Sequence, residues 1–136
     1  MSHPEADSVD RPLRIEPRWT DLDAVGHVNN SVFLVYAEEA RNRFLRRTVP
    51  GAWNIIVVVH NSIDYHCPVE GTDVVDVTCT VEKVGRSSLV TCNVISTTDG
   101  RKCATVRTVQ VVLAPDREES RPWTDDERAA LTKLIG

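Results

Sequence analysis

At 136 residues, 41% of them hydrophobic and 26% charged, the chain is long enough to bury one core and too apolar for a disordered polymer. Its net charge of -4, with the basic residues scattered, lacks the cationic footprint of a nucleic-acid binder. No apolar run approaches the ~20 residues that span a bilayer; the longest, Ile55 to Val59, is broken by His60 and Asn61.

Residues 1–11 are polar and acidic, without the basic start and apolar middle of a signal peptide. They are expected to be a disordered lead-in to a single domain over residues 12–136, in a cytoplasmic protein. Leu13 and Ile15 alternate with Arg14 and Glu16, predicting a short strand that Pro17 confines to a sheet edge. An Asp-rich turn follows.

The one long helical pattern comes next. Val32, Phe33, Tyr36, Ala37, Ala40, Phe44 and Leu45 recur at spacings of three and four and form an apolar stripe. Asn29 or Asn30 suits its N-cap. Arg41, Arg43, Arg46 and Arg47 load the end where cations match the helix dipole, and Val49-Pro50-Gly51 stops it.

Trp53 to Val59 is rich in β-branched residues and predicts a strand buried on both faces. Ser62 to His66 continues it, and Cys67-Pro68 ends it. Val74 to Val84, Ser88 to Thr97 and Lys102 to Leu113 predict three further long strands. Turns at Gly85-Arg86 and Asp99-Gly100 join them into hairpins. In the tail, Thr124 and Glu127 match a capping box ahead of Ala129, Leu131, Leu134 and Ile135, predicting a short helix. The fold class is therefore α+β: an antiparallel sheet covered by one helix.

The four cysteines, Cys67, Cys79, Cys92 and Cys103, show no C-x-x-C pair. A zinc site is not expected, and the thiols read as reduced and structural. His60 and His66 lie in strands without ligand partners and read as structural.

The segment Arg18-Trp19-Thr20-Asp21-Leu22-Asp23-Ala24-Val25-Gly26-His27-Val28-Asn29-Asn30, with Phe33 and Tyr36 after it, resembles the signature of the 4-hydroxybenzoyl-CoA thioesterase family of hotdog proteins. Ile63-Asp64-Tyr65-His66, Pro68, Gly71-Thr72-Asp73 and the turn Gly85-Arg86-Ser87-Ser88 follow that family's order. The resemblance runs from about Leu13 to Leu113. It implies a hotdog fold, a long curved antiparallel sheet wrapped around one central helix, and acyl-CoA thioesterase activity. The segment is also similar to the Asp-x-Asn-x-His-Val-Asn-Asn stretch of plant acyl-ACP thioesterases. Val25 stands where those enzymes carry Asn, which argues against transferring their whole catalytic set.

Thioester hydrolysis needs an attacking oxygen and stabilisation of the forming oxyanion. The resemblance places Asp23 at the catalytic aspartate, acting as nucleophile or general base. The amides near Asn29 to Ser31, with Asn30 among the candidate catalytic residues, form a helix start suited to an oxyanion. Gly26, counted with the substrate-binding residues, lets the backbone turn sharply between the two. His27 either serves the carbonyl or the proton transfer, or bonds the turn. Asp21 is expected to order the turn or hold a neighbouring amide, while Glu38 and Glu39 read as surface residues.

For the CoA moiety, Lys83, Gly85, Arg86, Ser87 and Ser88 form a basic, hydroxyl-rich turn matching the family's nucleotide contacts. Arg101, Lys102 and the helix arginines are further contributors without rank. Trp53, Ile55 and Val57 are pocket or core candidates. No metal or organic cofactor is implied, since CoA is part of the substrate.

The expected partners are an acyl-CoA or acyl-carrier-protein thioester and further copies of the chain. A homodimer or dimer of dimers would cover a β-branched edge. No nucleic acid or membrane partner is expected. Two other readings are a hotdog hydratase or dehydratase and a non-catalytic acyl-CoA-binding module. Acyl chain identity is not legible in these residues.

Overall fold

The computed structural model describes residues 11–135, so most of the expected lead-in at 1–11 lies outside the described residues. Strands β1 (Leu13–Ile15), β2 (Ile56–Tyr65), β3 (Val75–Val77), β4 (Thr80–Val84), β5 (Ser88–Thr97) and β6 (Lys102–Val112) form one antiparallel sheet. Its order is β1-β3-β5-β6-β2, with β4 also paired to β5. Helix α1 (Val32–Thr48) packs against β3, β5 and β6, and a short helix α2 (Asp125–Thr132) packs on β4. A curved sheet around one long helix is the hotdog arrangement.

The stripe read from the sequence faces inward. Phe33, Tyr36, Ala37, Ala40, Phe44 and Leu45 are all buried. They join two apolar clusters, one around Phe33 with Val75, Ile95 and Val106, the other around Phe44 with Leu89, Val112 and Leu131. Buried Arg41, Thr91, Asn93, Thr108 and Gln110 belong to neither cluster. Gln110 Nε2 donates to Leu89 O and Thr91 Oγ1, and Arg41 Nη1 donates to Thr108 Oγ1 at 3.3 Å, while Asn93 Oδ1 and Gln110 Oε1 have no partner among the described residues. Burial pulls the Arg41 pKa down, with Glu38 and Cys79 opposing.

Three expectations change. Trp53–Ile55 is a turn of 3-10 helix, and β2 is an edge strand whose residues are largely exposed, not a strand buried on both faces. β-branched residues suit a central and an edge strand alike, so composition does not distinguish them. Val74 to Val84 divides at Thr78-Cys79 into β3 and β4. The pairing to β5 keeps one register across that break, from Val77↔Ile95 to Thr80↔Cys92. There Asn93 Nδ2 donates to Thr78 O at 2.9 Å and Val94 N to Thr78 Oγ1 at 3.2 Å, so side chains supplement the remaining backbone bond from Thr78 N to Val94 O at 3.0 Å. Finally, regular helix begins only at Val32. Asn29 caps the turn before it, its Oδ1 accepting from Ser31 N at 3.2 Å.

The Thr124–Glu127 capping box forms as expected, and β1 lies at the sheet edge. All four cysteines are free. Among the described residues no helix is long and apolar enough to cross a membrane.

Candidate active site

Two layers of local bonding build the segment before α1. The inner one centres on Asp21, 2% exposed. Its Oδ2 accepts from the Arg18 amide at 2.9 Å and from the Tyr36 hydroxyl at 2.7 Å, and Arg18 Nη2 donates to Oδ1 at 2.9 Å. The Asn29 amide donates to Asp21 O at 2.8 Å, tying the turn to the helix start. Burial by itself raises the Asp21 pKa. The Arg18 guanidinium and amide and the Tyr36 hydroxyl outweigh that, holding it below its usual value. Asp21 thus orders the turn and holds an amide, as expected.

The outer layer presents Asp23. Its amide donates to His27 O at 2.7 Å, and the Gly26 amide donates to Asp23 O at 3.1 Å. Oδ1 accepts the amides of Val25 at 3.0 Å and His27 at 3.1 Å. Among the described residues nothing donates to Oδ2. Gly26 closes this loop with φ of 83°, a left-handed conformation that a Cβ disfavours. The loop leans on the 69–71 segment, with Val28 N donating to Val69 O at 2.8 Å and Gly71 N to Gly26 O at 3.0 Å.

Asp23, His27, Val28, Asn30 and Phe33 line a cavity of about 310 Å³ together with Tyr65, His66, Cys67 and Pro68. The structure therefore gathers the three candidate catalytic residues, Asp23, His27 and Asn30, at one opening. His27 Nε2 pairs with Glu70 Oε1 at 3.1 Å, with both side chains partly exposed. Of the helix-start amides, Asn29 N and Ser31 N already have acceptors. Asn30 N has none among the described residues, so that amide is the donor left open among the three.

Sequence reasoning did not single out Tyr65, Cys67 or Pro68 as site residues, and it read His66 as purely structural. Tyr65 donates its hydroxyl to Asn30 O at 2.9 Å, and its ring meets Phe33 edge-on at 5.5 Å. His66 Nε2 lies 3.0 Å from Thr105 Oγ1. Cys67 Sγ and Cys103 Sγ are 3.4 Å apart. The run Tyr65-His66-Cys67-Pro68 carries a signal only in that a strand ends there. Which loop it meets depends on the sheet.

The proposed CoA turn lies elsewhere. Gly85, Arg86, Ser87 and Ser88 join β4 to β5, with Lys83 on β4, and none of them lines the Asp23 cavity of the same chain. The tail covers this turn. Trp123 N donates to Arg86 O at 3.0 Å, Trp123 Nε1 to Ser88 O at 3.0 Å, and Arg128 Nη2 to Gly85 O at 2.8 Å. The Lys83 and Arg86 side chains are exposed, whereas the Ser87 hydroxyl is buried without a partner among the described residues. Glu38 and Glu39 are exposed, and Glu39 pairs with Arg43 at 3.1 Å.

The described residues contain no group of three or more His, Cys, Asp or Glu side chains that could hold a metal ion. The chemistry available at the Asp23 cavity is that of a fixed carboxylate beside a helix-start amide.

A family model described as the thioesterase-like superfamily matches residues 17–131. Among solved structures, the chain is similar to a thioesterase from Thermus thermophilus complexed with coenzyme A and Zn. That match has 32% identity over 93% of this chain and 95% of that one, with a TM-score of 0.83. It is also similar to a predicted thioesterase from Bacillus stearothermophilus, with 27% identity over 93% and 96% of the two chains and a TM-score of 0.84. The uncharacterised protein YsmA of Bacillus subtilis strain 168 is 26% identical over 121 residues, 87% of this chain and 82% of that one.

Proposed function

The chain belongs to the thioesterase-like superfamily, and from that membership we propose that it is an acyl-CoA thioesterase, hydrolysing an acyl thioester to the free acid and CoA. One observation carries the mechanistic part of this reading. The Asp23 carboxylate lines a cavity with Oδ1 fixed by two amides and Oδ2 without a donor among the described residues. A carboxylate so held is oriented without being neutralised, as a reacting group must be.

Two routes fit. Oδ2 attacks the thioester carbon, the CoA thiolate leaves, and water hydrolyses the mixed anhydride to restore Asp23. Alternatively Oδ2 takes a proton from a water molecule that attacks in its place. In both, charge develops on the thioester oxygen, and the Asn30 amide at the start of α1 supplies a donor and the positive end of the dipole. His27, held by Glu70, shapes the opening beside Asp23.

CoA as the carrier is supported by the coenzyme A bound to the Thermus thermophilus thioesterase. Arg86, on a turn whose backbone the tail bonds, and Lys83, at the adjoining end of β4, offer the phosphates exposed cations. Those residues do not line the Asp23 cavity of the same chain, so this assignment goes with a second copy that brings turn and cavity together. Edge strand β2, which ends at the cavity in Tyr65, is the strand we assign to that contact. The reading includes a cytoplasmic location.

The test is thiol release from a panel of acyl-CoAs, with crotonyl-CoA hydration followed in parallel. Thiol release that Asp23→Asn abolishes supports the proposal. Hydration without thiol release, or ligand binding without turnover, overturns it.

A further inference from the structure

We propose that a second cavity, between β1 and the C-terminal half of α1, is a binding site for an amphiphilic organic anion. It measures about 560 Å³, within the roughly 300–1,000 Å³ typical of small-molecule sites. Its floor is formed by Leu13, Ala40, Phe44 and Cys79, with Ala40 and Phe44 5% and 2% exposed. Its rim carries Arg11, Arg14, Arg43 and Arg47, all exposed. Four guanidinium groups at one opening stand out in a chain of net charge -4.

Two of the four are already matched. Arg14 makes a two-pronged contact with Asp76, at 2.9 and 3.0 Å, and Arg43 holds Glu39 at 3.1 Å. These pairs brace the wall, since Arg14 and Asp76 also face each other across β1 and β3. Arg11 and Arg47 have no carboxylate partner among the described residues, so within those residues the rim keeps a positive excess. A guanidinium binds carboxylate or phosphate through a planar fork of donors. A small hydrated ion would use that rim and leave the floor of Leu13, Ala40 and Phe44 untouched. A ligand with an anionic head and an apolar body satisfies both parts.

The site is separate from the Asp23 cavity. No residue lines both. Phe33 of one and Phe44 of the other lie roughly 16 Å apart along α1, at about 1.5 Å per residue.

Calorimetric titration of the full chain with decanoate tests the proposal, with inorganic phosphate and decanol as head-only and body-only controls. Decanoate should bind more tightly than either control. Arg47→Glu should weaken it at least tenfold, Arg47→Lys less, and Asp23→Asn not at all. Arg11→Glu, at an exposed position before the first strand, is the second variant should Arg47→Glu misfold, and it should weaken binding in the same sense. Thioester turnover by Arg11→Glu should match the wild type. Failure of decanoate to bind, binding indifferent to both charge reversals, a control binding equally well, or displacement of decanoate by CoA would each overturn the proposal.

Discussion

Asp23 and His27 are bonded in both directions: the Asp23 amide donates to His27 O at 2.7 Å, and the His27 amide donates to the Asp23 side chain at Oδ1, 3.1 Å away. One carboxylate oxygen is thus structural and the other is open, so charge and architecture can be separated by a single substitution. Asn in place of Asp23 keeps an acceptor for the loop amides and removes the negative charge. Asp23→Asn should unfold within about 1 kcal/mol of the wild type, since only a solvent-exposed acceptor changes. Thioester turnover should fall by at least ~100-fold, the usual contribution of a positioned carboxylate. Denaturant melts beside thiol-release assays check both halves, and a fully active, stable Asp23→Asn enzyme would sink the mechanism.

The buried Asp21 carboxyl makes a different prediction, one about pH. Burial opposes its ionisation, yet Arg18 and Tyr36 hold its pKa below the ordinary 3.8. A group depressed on folding contributes stability that is complete above its unfolded pKa and is lost as pH falls through the folded one. Asp21→Asn should therefore flatten the loss of stability between about pH 5 and pH 2, a window well below neutrality. Tyr36→Phe removes a 2.7 Å bond to the same carboxylate and should cost about 1.5–3 kcal/mol, the range for hydrogen bonds to a charged group. Urea unfolding across that pH range measures both.

These two layers differ in how far they could be read in the sequence. The Asp23 loop was legible because its bonds close within five residues and Gly26 marks the left-handed turn. The α1 stripe was legible because the helical period writes its buried face into the residue spacing. Tyr65 and Cys67 were not legible as site residues. Tyr65 reaches Asn30 and Phe33 from more than thirty positions away, and Cys67 lines the same cavity, through strand pairings that no local pattern encodes. The status of β2 failed for a related reason: whether a β-branched run lies at a centre or an edge depends on its neighbours. The arginine-rimmed cavity likewise needs β1 and α1 in place before Arg11 and Arg47 have anything in common.

Thiol reactivity should follow burial. Burial, opposed by nearby Arg41, pushes the Cys79 thiol up to about 12. Burial and the bond with Cys67 push Cys103 to about 11. Both should resist alkylation in the folded protein, because the thiolate is the reactive species. Cys67, at the partly open cavity, should label first with iodoacetamide near pH 8, and all four should label in urea. Peptide mapping at short times gives the order, and early modification of Cys79 would contradict the packing described.

The exposed edge of β2 predicts an assembly. Val57 and Val59 are 41% and 59% exposed, and a long apolar edge strand invites pairing with another strand. If a second copy covers it, placing two lysines there should oppose association through like charges across the interface. Val57→Lys/Val59→Lys should shift the chain from two copies to one in sedimentation equilibrium while leaving it folded. A wild type that sediments as a single copy, or a double variant that still pairs, would exclude β2 as the contact.

Tyr65 links that edge to the chemistry. Its hydroxyl donates to Asn30 O at 2.9 Å, and its ring stands edge-on to Phe33. The bond holds the peptide that follows Asn30, next to the amide assigned to the oxyanion, so Tyr65 acts as a positioning residue. Tyr65→Phe keeps the ring contact and removes only the hydroxyl. With Tyr65 46% exposed, its loss should cost less than about 1 kcal/mol of stability. The effect on catalysis should be separable: kcat falls severalfold while KM stays near the wild-type value, because the oxyanion donor loosens and the acyl contacts remain. Tyr65→Leu, which also loses the aromatic edge against Phe33, should fall further. Equal kcat in wild type and Tyr65→Phe would mean that the Asn30 peptide is held by the capped turn alone, with Asn29 Oδ1 on the Ser31 amide sufficient to fix it.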